Sequence, residues 1–370
     1  MKVMVTGITR LWPGILNPAT GLRAKGVETL FFYLERHPKF TREDAFRVVR
    51  TRRRYLTNLV EYFALLRREA PTHVDFYFHT GRWNTLALQA LITRRLGIPI
   101  VSVCTGAELL KFARHSARQQ RAMRGILGWS RAVVVKELYM HQVIETYGLA
   151  PPSRVHFCSN KITAGPEPSY ERKERNILFL NLFKEYRRVD LIIESAPFVV
   201  ERFPGARFVF VGAGRNLRRE AEYAARVGEL GLTEKVAFVP YTSEVRPYLD
   251  EAAIFLLPAD IVFCNNALLE AMERGVPPIV ADVPGAERIV SHGVSGLRVP
   301  QEAGALARAM IDMLSDEAYR LRLARGAREK ILREFREEVR ADFLLDLYNR
   351  EVWPHAANGK RSAGPGTLHS

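Results

Sequence analysis

Short, almost wholly apolar runs alternate with longer segments of helical periodicity along most of this chain. That alternation restricts it to an α/β fold built on parallel sheets. Residues 3–6 are apolar and end at Gly7, and residues 74–78 form a second such run ending at His79. A helical pattern over 86–95 stops at Gly97-Ile98-Pro99, and a third apolar run follows at 100–103. Residues 42–69 read as one long helix rich in arginine, with Arg47, Arg50, Arg52, Arg53 and Arg54.

The pattern weakens near Pro151-Pro152, and 163–170 is rich in Pro and Gly, as a linker between domains would be. It then restarts. A strand at 177–180, a helix at 190–203 and a strand at 207–211 lead into Gly212-Ala213-Gly214. A helical stretch at 217–228 precedes short apolar segments at 236–239, 245–249 and 254–257. A helix near 267–274, a strand at 279–281 and late helices over 302–314 and 317–353 complete the second half. At 370 residues two cores are expected rather than one. The division predicted is 1–160 and 161–340, with 341–355 a helix crossing back and 356–370 a disordered tail. The fold expected is therefore two Rossmann-like doubly wound domains, with the carboxyl ends of both sheets facing a cleft.

Charge separates the halves. Residues 1–160 hold 25 Lys and Arg against 10 Asp and Glu, whereas 161–370 hold 30 of each. The whole net charge of +15 thus lies in the first half, which suits an anionic partner there, although solvated helix faces would look the same. Two basic stretches with apolar neighbours, 45–68 and 111–129, could dock on an anionic bilayer or could simply face their own core. Cys104, Cys158 and Cys264 form no CxxC pair and have no His at metal-ligand spacing, so buried, reduced thiols are expected. No apolar run approaches the roughly 18–20 residues a membrane span needs. The amino terminus reads as a strand rather than a signal peptide. A cytoplasmic protein follows as the expectation, with peripheral attachment to the inner membrane face an open alternative.

The segment from Asn265 to Gly296 carries the most chemistry. Asn265 and Asn266 are good capping residues at a helix start, where free backbone N–H groups and the helix dipole favour phosphate. Glu270 lies one turn inside, where a carboxylate can accept from a ribose diol, and Gly275 ends the helix. This segment is similar to glycosyltransferase family 4, a retaining group of GT-B architecture, in NALLEAMERGVP and GAERIVSHGVSGLRVP. The similarity extends to NILFLNLFKEYRRVDLIIESA with FVFVGAG, so it spans most of 155–353.

The resemblance implies that Glu270 binds the ribose and that Asn265, Asn266 and Ala267 meet the diphosphate or donor sugar. It implies that Lys184 and Arg187, with Arg188 as a rival, clamp the diphosphate as the glycosidic bond breaks. Gly212 and Gly214 would let backbone approach the nucleotide. The segment 238–242, with Val239 and Tyr241, would hold the base. The first half matches less well, and there Gly14, His79, Thr105 and Glu108 are candidate contacts to acceptor or donor sugar. Two departures stand out. Val262 occupies the position eight before Glu270 where the family has a second Glu, with Asp260 two residues earlier. Thr105 stands where a family histidine precedes the glycine.

The reaction so implied is hexosyl transfer from a nucleotide sugar, such as a UDP- or GDP-sugar, to an acceptor of anionic or lipid-linked type. Neither a metal nor a further cofactor is expected, since there is no Asp-x-Asp and no His/Asp cluster. Competing readings are a basic nucleic-acid-binding protein, which the electroneutral second half disfavours, an epimerase or other enzyme of the same architecture, and an inactive homologue.

Overall fold

The computed structural model describes residues 1–8, 13–33, 47–50, 55–78, 83–104, 109, 111–170, 175–214, 216–262 and 264–354. The chain divides into two compact units. One comprises Met1–Ser159 together with the chain from Glu337 onward, and the other Asn160–Arg336.

The first unit holds a seven-stranded sheet of β1 (Lys2–Thr6), β2 (Glu28–Tyr33), β3 (Arg47–Arg50), β4 (His73–Tyr77), β5 (Ile100–Cys104), β6 (Ala132–Val135) and β7 (Val155–Phe157). The order is β3-β2-β1-β4-β5-β6-β7, parallel throughout. β4 and β5 are buried at every position, as strands covered by helices on both faces must be. Apolar side chains from both strands and both helical layers fill two clusters, one on each side of the sheet.

Here the single long helix expected over 42–69 is corrected. Arg47–Arg50 is an edge strand paired with β2, and a helix runs over Tyr55–Glu69. The two central valines of RVVR decide this: β-branched side chains fit a pleated sheet, and Val48 and Val49 pair with Phe31 and Phe32. The stretch 111–129 is also resolved. Phe112, Ile126 and Leu127 are buried in the unit's own core, and Trp129 packs against it. Arg124 donates to the Tyr147 carbonyl at 2.6 Å and lies 5.2 Å over the Phe112 ring. This helix therefore has no apolar face left for a membrane surface.

The chain's return is tied into the first unit by aromatic side chains. Tyr348 donates to Asp75 Oδ2 at 2.8 Å, and the Trp353 indole N–H donates to His73 Nδ1 at 3.0 Å. Both acceptors sit on β4, and all four groups are buried. The expected helix over 317–353 is in fact Glu317–Glu334 and Glu337–Leu347, broken where the chain passes from one unit to the other.

The second unit holds β8 (Asn176–Leu180), β9 (Arg207–Ala213), β10 (Val236–Pro240), β11 (Ala252–Leu257), β12 (Pro278–Ala281) and β13 (Leu297–Val299). Their order is β10-β9-β8-β11-β12-β13, again parallel. The helices Val189–Arg202 and Ala303–Ser315 pack together on one face, and Asn266–Glu273 and Glu317–Glu334 on the other. The segment 245–249, read among the strands, is a short helix over Arg246–Glu251. Pro247 explains it: at the start of a helix its missing N–H costs nothing.

In such a sheet the order reverses between β8 and β11. The loops leaving those two strands diverge to opposite faces and open a crevice at their carboxyl ends. Among the described residues all three cysteines are free and buried, and burial pushes the Cys104 thiol up to about 12.

Candidate functional site

The crevice of the second unit gathers residues from four strand ends. The loop after β8 carries Lys184, Arg187 and Arg188, and the loop after β11 leads to Asn265. The ends of β9 and β10 bring Gly212, Gly214, Val239 and Tyr241 to the same edge of the sheet.

Aromatic packing fixes the β8 loop. Phe183, beside Lys184, is fully buried and stands edge-on to Phe210 of β9 and Phe238 of β10, with ring centroids 6.4 and 5.8 Å away. These edge-to-face contacts anchor a loop that would otherwise be free. Lys184 is exposed, and its Nζ lies 5.8 Å from the Tyr186 ring centroid. Arg187 is buried, with its guanidinium 5.0 Å from the same ring. Burial lowers the Arg187 pKa, though a guanidinium stays protonated in any protein setting.

The rival Arg188 is otherwise engaged. It adopts a left-handed backbone (φ 52°) and its guanidinium pairs with Asp190 at 3.0 Å and Asp260 at 3.6 Å. Asp260 in turn accepts from Gln301 Nε2 at 2.9 Å, while its own N–H donates to the Tyr186 carbonyl at 2.9 Å. These bonds lash the loops after β8 and β11 together across the crevice. Val262 is buried within the apolar cluster of this unit and is no substitute for a polar contact.

The helix Asn266–Glu273 begins as its sequence predicts. Asn265 caps it, its side-chain oxygen accepting from Leu268 N–H at 2.7 Å. That bond fixes the amide orientation and leaves Asn265 Nδ2 buried with no acceptor among the described residues. The Asn266 and Ala267 N–H groups are among those a helix start leaves without internal partners. At the other end Gly275 (φ 66°) and Val276 donate to the carbonyls of Met272 and Ala271, a Schellman ending.

Glu270 lies one turn inside the helix and is half-buried. Its carboxylate forms no hydrogen bond or ion pair among the described residues. Burial, and secondarily the nearby Glu273, pushes its pKa up to about 7. Glu273 itself was not singled out by its sequence. It is buried, accepts from Gly165 N–H at 2.9 Å, and pairs with Arg328 at 2.6 Å. Arg328 also bonds the carbonyls of Gly165 and Glu273 and pairs with Glu167 at 3.1 Å, pinning the helix from behind.

The glycines after β9 have different explanations. A Cβ on Gly212 (φ 128°) would lie 2.2 Å from the Asn181 carbonyl oxygen, so this glycine lets β9 pass beside the β8 loop. Gly212→Ala is thus expected to destabilise the protein by more than about 1 kcal/mol, read as a lower midpoint in urea. The Gly214 N–H is already given to Glu220 Oε1 at 2.6 Å. Tyr241 is largely exposed, and its N–H donates to the Ala213 carbonyl at 2.8 Å, which sets the end of β10 beside the Gly212–Gly214 turn. Val239 is half-buried two residues earlier.

Of the candidates in the first half, Gly14 lies in the first turn of the helix Pro13–Ala24. His79, Thr105 and Glu108 lie outside the described residues. Among the described residues no group of His, Cys, Asp and Glu could hold a metal ion, and no helix is long and apolar enough to cross a membrane.

Residues 174–316 match the family model described as Glycosyl transferases group 1. The amylovoran biosynthesis glycosyltransferase AmsK of Erwinia amylovora is 28% identical over 181 residues, covering 47% of this chain and 44% of that protein. The D-inositol 3-phosphate glycosyltransferase of Salinispora tropica is 25% identical over 327 residues, covering 79% and 67%. The chain spans about half the length of the first curated relatives it matches. Among solved structures, Anabaena HepE in complex with UDP superposes with a TM-score of 0.78 at 15% identity, over 94% of this chain and all of that one. Sucrose-phosphate synthase from Thermosynechococcus elongatus gives 0.72 at 18% identity, over 94% and 98%. Residues 174–316 thus resemble the glycosyl transferases group 1 family, within a chain whose two parallel-sheet units share the GT-B fold of these solved structures.

Proposed function

We propose that the protein is a retaining, metal-independent glycosyltransferase of the family 4 type, moving a hexose from a nucleoside-diphosphate sugar to an acceptor. The observation that carries this is the Glu270 carboxylate. It is half-buried and unpartnered, it is pushed up to about 7, and it sits one turn inside a capped helix start at the switch point of the sheet. A ribose diol would give it two donors. The free N–H groups of Asn266 and Ala267, with Asn265 Nδ2, would take diphosphate oxygens.

Lys184 and Arg187 would neutralise charge on the leaving diphosphate as it develops, the part a divalent ion plays elsewhere. The bond from the anomeric carbon to the phosphate oxygen breaks and one to the acceptor oxygen forms on the same face. The acceptor proton passes to the departing phosphate, so no protein nucleophile or further cofactor is required. Uracil is the donor base we favour, because structures of HepE with UDP and with UDP-glucose share this fold. For the acceptor, the positive first half favours an anionic molecule.

The pH dependence of UDP binding tests the role of Glu270. A folded-state pKa above the usual carboxylate range means that folding alone favours the protonated form between about 4.5 and 7, so stability from this group falls as pH rises through that window. A diol prefers the ionised form as acceptor, so binding must expel the proton. UDP affinity, measured by calorimetry, is expected to weaken by up to about tenfold per unit below pH 7 and to level off above it. Glu270→Gln should flatten the profile. An equally steep profile in that variant would remove Glu270 from the site.

A further inference from the structure

The sequence places all of the net positive charge in the first half, and three of its arginines meet at one cavity. A cavity of about 270 Å³ opens at the amino-terminal edge of the first sheet, below β5, β6 and β7. Arg94, Arg131 and Arg154 line it with Trp129 and Pro99, and among the described residues no acidic side chain does. None of the three arginines makes an ion pair among the described residues. Arg94 stacks 5.3 Å over the Trp129 ring, and Arg154 donates to the Ser130 carbonyl at 3.3 Å. Those contacts orient the guanidinium groups without neutralising them.

A structural explanation accounts for only part of this charge. The helices Trp83–Arg95 and Ala117–Trp129 both end here, and each helix carboxyl end carries about half a negative charge. Two such ends offset about one of the three cations, leaving a surplus near +2. Like charges brought together without a counter-ion destabilise the fold, and an anion relieves them. Guanidinium groups match the paired oxygens of a phosphate in a bidentate manner. The volume is ample for a phosphate group.

We infer that this cavity is a phosphate-binding site, separate from the Glu270 crevice, which takes a phosphomonoester or phosphodiester group from a soluble anion or an anionic lipid headgroup. The site lies wholly within the first unit and stands whether or not the donor reading above holds.

Gly128 supplies a clean test. It lies in the helix Ala117–Trp129 and on the cavity wall, and a Cβ there meets nothing within 4 Å. Gly128→Glu would project a carboxylate at the cavity without disturbing the fold, since a non-glycine residue favours the helix. Binding of inorganic phosphate to the full chain is measured by calorimetry, and flotation compares vesicles of phosphatidylcholine with and without phosphatidic acid. The expected result is a site weakened at least about tenfold by Gly128→Glu and by Arg131→Ala. Loss in both assays identifies a lipid headgroup as a ligand, and loss in the phosphate assay alone a soluble anion. Binding that Gly128→Glu leaves intact, or no binding in either assay, overturns the proposal.

Discussion

Lys184→Ala is expected to lower kcat by about 10²–10³-fold with no change in thermal midpoint, the loss typical of removing one charge-stabilising donor from a reacting centre. Lys184 is exposed at the carboxyl end of β8, and no ion pair holds it among the described residues. The fold gives it no structural task. Its neighbour Phe183 keeps the loop in place, so removing the lysine side chain leaves the loop standing. Arg187→Ala would be a poorer test, because that side chain is buried and its removal leaves a cavity. If Lys184→Ala turns over at the wild-type rate, the clamp is not where this account puts it. Chelation by EDTA should leave the wild-type rate unchanged.

The largest loss of stability is expected from Arg328→Met. Arg328 and Glu273 form a buried pair at 2.6 Å, and the same guanidinium holds Glu167 and the Gly165 carbonyl. Its removal leaves the Glu273 carboxylate buried beside only the Gly165 N–H. Breaking a buried pair from one side costs about 3–5 kcal/mol, far more than an exposed pair is worth. Glu273→Gln, which keeps a hydrogen-bonding partner for Arg328, should cost less. Denaturant unfolding followed by far-ultraviolet circular dichroism would check both. Equal midpoints for Arg328→Met and the wild type would mean that the pair carries no stability. The effect should reach the proposed nucleotide site as well, since Glu270 and Glu273 share one helix.

How much of this could be read from the sequence depends on the range of the interaction. Strands buried on both faces, such as β8 and β11, announce themselves as continuous apolar runs, and all their positions are buried. The helix holding Glu270 carries its own start and stop, in Asn265 and Gly275, so it too was legible. β3 was not: four residues of RVVR within an arginine-rich stretch look helical until the pairing with β2 is known.

Partnerships across long separations were equally hidden. Whether Arg187 or Arg188 serves the crevice turns on Asp260, seventy-odd positions away, which engages Arg188. Glu273 looks like a surface carboxylate until Arg328 arrives from a helix 55 residues later. The departure at Val262 now has a physical reason. The residue fills the core beneath the crevice, and the nearest carboxylate, Asp260, is already held by Arg188 and Gln301.

The central claim is that the second unit binds a nucleotide through Glu270, and thermal shift tests it most directly. The purified protein and its Glu270→Ala variant would be melted with UDP, GDP, ADP and dTDP sugars. A ligand at one hundred times its dissociation constant adds about 2.7 kcal/mol of stability. The account predicts a shift of that order with one nucleotide, UDP sugars first, and its loss in the variant. No shift with any nucleotide sugar, alongside tight salt-sensitive binding to DNA or RNA, would contradict it.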